Sequence, residues 1–265
     1  MKWFKRIALS LLGLYILICT LVYFFQEHLI FFPEKLPQDY KFQFNEPFIE
    51  KSIIVDKGII LNGLLFRTPN SKGCVFYLHG NGGSIRNWGE KVQPYLDLDY
   101  DVFLLDYRGY GKSNGTISNE NTLYKDIQVA YDSIVHIYPE DKITVLGYSL
   151  GTGLAANLVS KNHPKQLILL APYYSFSQMA KEHFPFLPKA LIRYHFPTWE
   201  YLKQIKAPVT VFHGDIDEVI NCSNSTELLK PYLKQEDHLY VLRNQQHDGI
   251  TDNISYLGFL QQLLP

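Results

Sequence analysis

Hydrophobic and polar positions follow three patterns along this chain. The first has no period. Ile7 to Phe25 is 19 residues without a charge. As a helix at ~1.5 Å per residue it reaches about 28 Å, close to the ~30 Å hydrocarbon core of a bilayer. Lys2, Lys5 and Arg6 precede it, which predicts a membrane helix with the N-terminus in the cytoplasm and the remaining chain on the non-cytoplasmic side. A cleavable signal peptide shares the basic start but needs small residues at its cut site, and Thr20 to Phe25 reads TLVYFF. A lipoprotein signal would use Cys19, but Ile18 before it is too large. Leu29-Ile30-Phe31-Phe32-Pro33 is apolar again. It either lies at the membrane interface or packs against the domain.

The second and third patterns alternate from about residue 40. Short apolar runs predict strands at Glu50–Val55, Ile59–Arg67, Cys74–His79, Asp101–Asp106, Ile143–Tyr148, Gln166–Ala171, Pro208–His213 and His238–Arg243. The later ones are almost continuously apolar, as parallel strands covered on both faces are. Asp56-Lys57-Gly58 between the first two predicts an antiparallel hairpin. Helical spacing places Leu123, Ile127, Tyr131, Ile134 and Ile137 on one face, behind a start at Ser118. Further helices are expected from Ser149 to about Lys161, from near Ser223, and from about Asp252 to Leu263. The sum is an α/β domain: about eight strands in a mostly parallel, doubly wound sheet with helices on both faces. The expected division is an anchor and linker over 1–39 and one domain over 40–265. The interval 172–207, with Pro172, Pro185, Pro188 and Pro197, is longer than one crossover helix needs. It predicts a small cap, with a long irregular crossover as the alternative.

Composition narrows the classes. The chain has 265 residues, 46% of them hydrophobic, enough for a large core. Lys+Arg is 25 against Asp+Glu 26, so no basic excess supports nucleic-acid binding. Three cysteines, Cys19, Cys74 and Cys222, make no disulfide framework and no zinc spacing. No partner beyond a small molecule and the membrane is implied, and nothing demands more than a monomer.

Chemistry concentrates at strand ends. Gly147-Tyr148-Ser149-Leu150-Gly151 stands where a strand should end and a helix begin. There the tight turn lifts a serine hydroxyl above the sheet, and the helix N-terminus aims N–H groups at a developing negative charge. A serine needs a base, and the base an orienting acid. His213-Gly214-Asp215-Ile216-Asp217 follows the seventh strand and offers Asp217, with Asp215 as runner-up. His247 follows the eighth and is the base; His238, which opens that strand, reads as structural. His79-Gly80-Asn81-Gly82-Gly83 follows the third strand and supplies one oxyanion donor, Asn81 or alternatively Gly82; Leu150 supplies the other. His79 reads as a residue that holds this loop. Tyr173 and Tyr174, with Phe184, Phe186, Tyr194 and Phe196, put aromatic side chains beside the expected pocket and read as substrate-binding. Gly111-Lys112-Ser113 is no phosphate loop, because that motif needs Gly where Asp106 stands.

These segments resemble the α/β-hydrolase superfamily: HGNGG at His79–Gly83, DYRGYGKS at Asp106–Ser113, GYSLG at Gly147–Gly151, and HGDID with the later His247. The likeness covers nearly the whole soluble part. It is closest to membrane-anchored hydrolases labelled serine-aminopeptidase-like or lysophospholipase-like, which also carry an apolar N-terminal helix followed by a stretch such as Phe31-Phe32-Pro33. The resemblance implies a Ser149–Asp217–His247 triad, no metal and no cofactor. The expected activity is cleavage of acyl or lipid-like carboxylic esters at a membrane through an acyl-enzyme. A peptidase or acyltransferase on the same triad, and an idle binding module, are the alternatives.

Overall fold

The computed structural model describes residues 2–265; Met1, the first residue of the expected anchor segment, lies outside them. Eight strands form one sheet: β1 (Phe48–Asp56), β2 (Ile59–Phe66), β3 (Cys74–Leu78), β4 (Asp101–Leu105), β5 (Ile143–Tyr148), β6 (Gln166–Leu170), β7 (Val209–Gly214) and β8 (His238–Leu242). Each lies within two residues of its predicted bounds. The spatial order is β8-β7-β6-β5-β3-β4-β2-β1. β1 with β2, and β2 with β4, are antiparallel; every other pair is parallel. The predicted hairpin is present, and Gly58 at its turn has φ +75°.

The strand period of two divides the core into layers. Phe76, Phe103, Val145, Leu167, Leu169 and Val211 face one side. They pack under α3 (Glu120–Val135) and α4 (Leu150–Val159). Val75, Tyr77, Val102, Leu104, Ile168 and Phe212 face the other, under α7 (Ile254–Leu263) and the turns of residues 85–96. Asn119 caps α3 by accepting the Thr122 N–H at 2.9 Å, so the helix starts two residues later than Ser118 suggested. Asn253 caps α7 in the same way.

Two features depart from the sequence pattern. Ile85–Trp88 and Gln93–Leu96 are helical turns that the sequence pattern did not announce; at four residues each they are too short for a helical period to register. The helix expected from Ser223 is a single turn, Thr226–Leu229, followed by a 3-10 turn at Lys230–Tyr232, because Pro231 interrupts it.

Residues 172–207 hold α5 (Phe176–His183), a 3-10 turn at Lys189–Leu191 and α6 (Thr198–Leu202). At the N-terminus, α1 (Lys2–Phe24) has no buried residue, and α2 (Gln26–Ile30) follows directly. The apolar stretch 29–33 is divided: Ile30 and Phe31 face the domain, and Leu29 and Phe32 are exposed. Phe31 is buried, Phe32 and Pro33 pair in parallel with Gly82 and Gly83, and Lys35 bridges to Gly111.

Candidate active site

The serine sits on a backbone that only close packing can impose. Ser149 has φ +51° and ψ −116°, a strained conformation for a non-glycine residue. Two glycines make room for it. A Cβ on Gly151 would lie 2.0 Å from the Leu78 carbonyl oxygen, and one on Gly147 would lie 2.5 Å from the Gly151 carbonyl oxygen. The turn is pinned at both ends: Ser149 N–H donates to the Leu170 carbonyl (2.9 Å), and Thr152 N–H donates to the Ser149 carbonyl (2.9 Å). An ordinary N-cap serine would turn its hydroxyl back onto its helix. Ser149 makes no such bond; its Oγ instead lies 3.0 Å from His247 Nε2.

His247 Nδ1 is 2.7 Å from Asp217 Oδ2. The three residues arrive on three different connections, after β5, β7 and β8, so the parallel sheet brings together positions 98 and 30 residues apart. Asp217 is nearly buried at 4% exposure. Its other oxygen accepts the N–H groups of Val219 (2.9 Å) and Ile220 (2.7 Å). Burial works to raise the pKa of this carboxyl. Hydrogen bonds from His213 and His247, with the Ile220 N–H, outweigh it and hold the group well below the usual carboxylate range. Asp217 is thus an anion at neutral pH, able to fix the His247 tautomer with its proton on Nδ1.

The runner-up acid is elsewhere. Asp215 is exposed and accepts the Gln245 N–H at 3.3 Å, which ties two loops together. His238 is exposed at the start of β8.

The loop after β3 is braced from the Asp106–Ser113 segment. Tyr107 Oη donates to the His79 carbonyl (2.7 Å), and Tyr110 Oη donates to the Asn81 carbonyl (2.7 Å). Asp106 Oδ1 accepts the Ile85 N–H (2.9 Å) and lies 3.5 Å from His79 Nε2. Burial pushes the Asp106 carboxyl upward against the opposing pull of His79 and Ile85. His79, fully buried, touches Trp88, Tyr107 and Tyr110 with its ring. It holds the loop, as its position in the sequence suggested. Among the described residues, neither the Asn81 N–H nor the Leu150 N–H has an acceptor within the chain, and both residues line the same cleft as Ser149. Gly82 is more constrained: it pairs with Phe32, and its carbonyl accepts the Trp88 indole N–H at 2.8 Å.

The cleft over Ser149 and His247 has a volume of about 360 Å³. Trp88, Leu150, Tyr173, Phe176, Met179, Val219 and Ile220 supply its apolar walls, and Asp248 is its only lining residue of fixed charge. Most of the aromatic residues expected there are elsewhere. Tyr173 does line the cleft, but it is 1% exposed and its hydroxyl donates to the Leu150 carbonyl (3.0 Å), so it shapes the floor. Tyr174 does not line the cleft: it stacks on Trp199 at 5.7 Å and meets Tyr232 through its hydroxyl (3.3 Å). Tyr194 and Phe196 are core residues, and Phe184 and Phe186 are surface residues outside the cleft. Aromatic content predicts large contact area but not which surface it serves.

Three contributors were missed. Trp88 comes from an unannounced helical turn. Tyr148, the variable position before the serine, donates to the His247 carbonyl at 2.6 Å and fixes that loop. His213 donates from Nε2 to the Ile220 carbonyl (2.8 Å), lies 3.2 Å from Asp217 Oδ2, and has Thr226 Oγ1 2.6 Å from Nδ1. Its position four residues before Asp217 was the available signal. Among the described residues, no three His, Cys, Asp or Glu side chains gather as metal ligands do.

Known proteins share this architecture. The family model described as serine aminopeptidase, S33, matches residues 69–201. The chain is 30% identical over 217 residues to alpha/beta hydrolase domain-containing protein 17C of Xenopus tropicalis, covering 79% of this chain and 67% of that protein. It is 30% identical over 177 residues to the lysophosphatidylserine lipase ABHD12 of Macaca fascicularis, covering 57% of this chain and 43% of that one. The esterase Pf2001 of Pyrococcus furiosus superposes with a TM-score of 0.67 at 18% identity, over 89% of this chain and 97% of that structure; at that identity the likeness is one of fold. With these matches, the chain belongs to the serine aminopeptidase S33 family of α/β-hydrolases and is a hydrolase.

Proposed function

We propose that the protein is a membrane-anchored serine hydrolase that cleaves carboxylic esters carrying an apolar acyl group. The observation that carries this reading is the continuous hydrogen-bonded line Ser149–His247–Asp217, at 3.0 and 2.7 Å, on a strained turn that exposes the hydroxyl to a cleft. In the reaction His247 takes the Ser149 proton as the oxygen attacks the ester carbonyl. Asp217 stabilises the imidazolium that results. The N–H groups of Asn81 and Leu150 receive the oxyanion. His247 then returns the proton to the departing alcohol, leaving an acyl-serine. Water, deprotonated by the same histidine, releases the acid. The apolar walls formed by Trp88, Phe176, Met179 and Val219 support an acyl chain rather than a charged group. The idle-module alternative loses ground because every step of the relay has its partner.

The anchor is part of the proposal. α1 is long and apolar enough to cross a membrane, and the basic residues before it put the domain on the non-cytoplasmic side. The division of labour is an anchoring segment over 1–39 and a catalytic domain over 40–265, with 172–207 as its cap.

The test is covalent labelling with a fluorophosphonate probe alongside turnover of an ester series from acetyl to dodecanoyl and of aminoacyl amides. Wild type should label, and Ser149→Ala should not. The variant should lose roughly 10⁴–10⁶ in kcat. A preference for octanoyl over acetyl supports the acyl reading. Faster turnover of amides than of esters would make the protein a peptidase, and a folded wild type that never labels would overturn the mechanism.

A further inference from the structure

The anchor and the cap are bonded to each other along a length that matters if α1 spans a bilayer. Tyr15 Oη donates to the Phe186 carbonyl (2.9 Å). The Gln26 side chain donates to the Leu191 carbonyl and accepts the Arg193 N–H, both at 2.8 Å. Glu27 accepts from Arg193 (2.7 Å) and from the Tyr194 hydroxyl (2.8 Å). The segment 186–194 therefore runs alongside the last three turns of α1 and into α2.

The register sets a depth. Tyr15 lies nine residues before Phe24, the end of α1, or ~13 Å along the axis. At helix tilts up to ~40° this is still a depth of about 10 Å, inside a hydrocarbon half-thickness of ~15 Å. Helical side chains lean toward the helix N-terminus, here the deeper end. The Phe186 carbonyl, bonded at that level, is then below the lipid headgroups.

The loop has the composition such a position requires. Residues 184–188 read Phe-Pro-Phe-Leu-Pro, with Phe184 50% and Phe186 59% exposed. In hydrocarbon every backbone donor needs a partner. Phe184 N–H donates to the Ala180 carbonyl and Leu187 N–H to the Phe184 carbonyl. Pro185 and Pro188 have no N–H to satisfy. Phe186 is the one open donor of the five, and its own carbonyl is taken by Tyr15. Lys189, the only charge in 184–191, lies on the way back to the surface, where its stem can carry the ammonium to water.

We infer that residues 184–188 insert into the acyl region of the outer leaflet, so that the cap is a second membrane contact of the enzyme. This rests on the membrane-anchor reading above. The loop continues directly from α5, whose Phe176 and Met179 form a wall of the Ser149 cleft. A substrate held in the bilayer thus meets the cleft wall at the end of an inserted loop.

The test uses the full chain in phosphatidylcholine/phosphatidylglycerol vesicles, with Cys19→Ser to leave only the buried Cys74 and Cys222. Spin labels are placed singly at Phe186→Cys, at Leu12→Cys on α1, and at Ile254→Cys, which is 87% exposed under the opposite face of the sheet. Relaxation by oxygen and by an aqueous nickel chelate reports depth. The Phe186 label should behave as the Leu12 label does, shielded from nickel, while the Ile254 label collides freely. A Phe186 label as open to nickel as the Ile254 label, beside a shielded Leu12 label, overturns the inserted loop and leaves the anchor standing. An aqueous Leu12 label removes both. In parallel, Phe184→Ser with Phe186→Ser should keep kcat/KM for a soluble butyrate ester within about twofold, and lower hydrolysis of a vesicle-borne monoacylglycerol about tenfold. No loss on vesicles, or an equal loss on both substrates, counts against the inference.

Discussion

The Ser149 turn and the 172–207 segment border the same cleft and are built by opposite means. The turn is fixed by backbone. Gly147 and Gly151 have no space for a methyl group, Ser149 N–H is bonded to the neighbouring strand, and the loop that should bind the oxyanion is held by two tyrosine hydroxyls from an adjacent motif. The 172–207 segment is fixed by side chains. Tyr174 stacks on Trp199, Tyr232 meets both rings at a tilt, Lys203 sits 4.2 Å over the Trp199 ring, and Gln26, Glu27 and Tyr15 tie the segment to the N-terminal helices. A backbone-built site tolerates almost no substitution and keeps its geometry to tenths of an ångström. A side-chain-built cover can exchange its contacts one at a time, which is where a shared fold diversifies its substrates.

Substitutions should separate the two regions. The largest effect is expected at Asp217. Asp217→Asn removes the charge that fixes the His247 tautomer and should lower kcat by roughly 10³–10⁴, measured on a soluble ester. The same carboxyl gives a pH signature. Its folded pKa lies below the unfolded value of ~3.9. Its contribution to stability is therefore complete above about pH 5 and is lost as pH falls through that unfolded value toward the folded one. Urea unfolding midpoints of wild type and Asp217→Asn should differ at pH 7, and the gap should begin to narrow once the pH falls below about 4; a constant gap down to the lowest pH at which the protein stays folded would mean the carboxylate is not held by its histidines. Next comes Gly151→Ala. Its Cβ would meet a strand carbonyl at 2.0 Å, so a loss of about 3–4 kcal/mol is expected by thermal unfolding, with activity falling together with the fold. The smallest effect is expected in the 172–207 segment. Tyr174→Phe removes a 3.3 Å hydroxyl contact on the surface side of the stack and should change stability by less than ~1 kcal/mol and ester turnover by less than twofold. A large loss of turnover there would return Tyr174 to the substrate site from which its position removes it.

The same contrast decides what could be read in advance. Strand positions were legible because burial on both faces leaves uninterrupted apolar runs, and all eight appear at their places. Ser149, Asp217 and His247 were legible because strand ends in a parallel sheet converge, so their place in the chain order implied their place in space. The cap aromatics were not. Tyr194 and Phe196 are buried, Phe186 is exposed and Tyr173 is a floor, although all four sit in one proline-rich stretch. No period of two or 3.6 runs through that stretch, so nothing in the order of residues says which way each ring faces. His213 was visible only as the opening of a motif. Its service to Asp217 depends on a short return of the chain through Ile220, which spacing alone does not reveal.

The two-residue ladder between Phe32–Pro33 and Gly82–Gly83 has a consequence for how this protein can be taken apart. The segment after α2 also bonds to the loop beside Ser149: Glu34 pairs with Arg86 and accepts the Ser84 hydroxyl, and its N–H donates to the Gly83 carbonyl. The seam between interchangeable halves therefore falls near Phe25 and not at the start of the sheet. A chimaera that exchanges α1 for an unrelated helix must inherit the native chain from Gln26 onward. One joined at residue 40 would carry every strand and all three relay residues, yet leave the glycine loop without the neighbour that holds it in place.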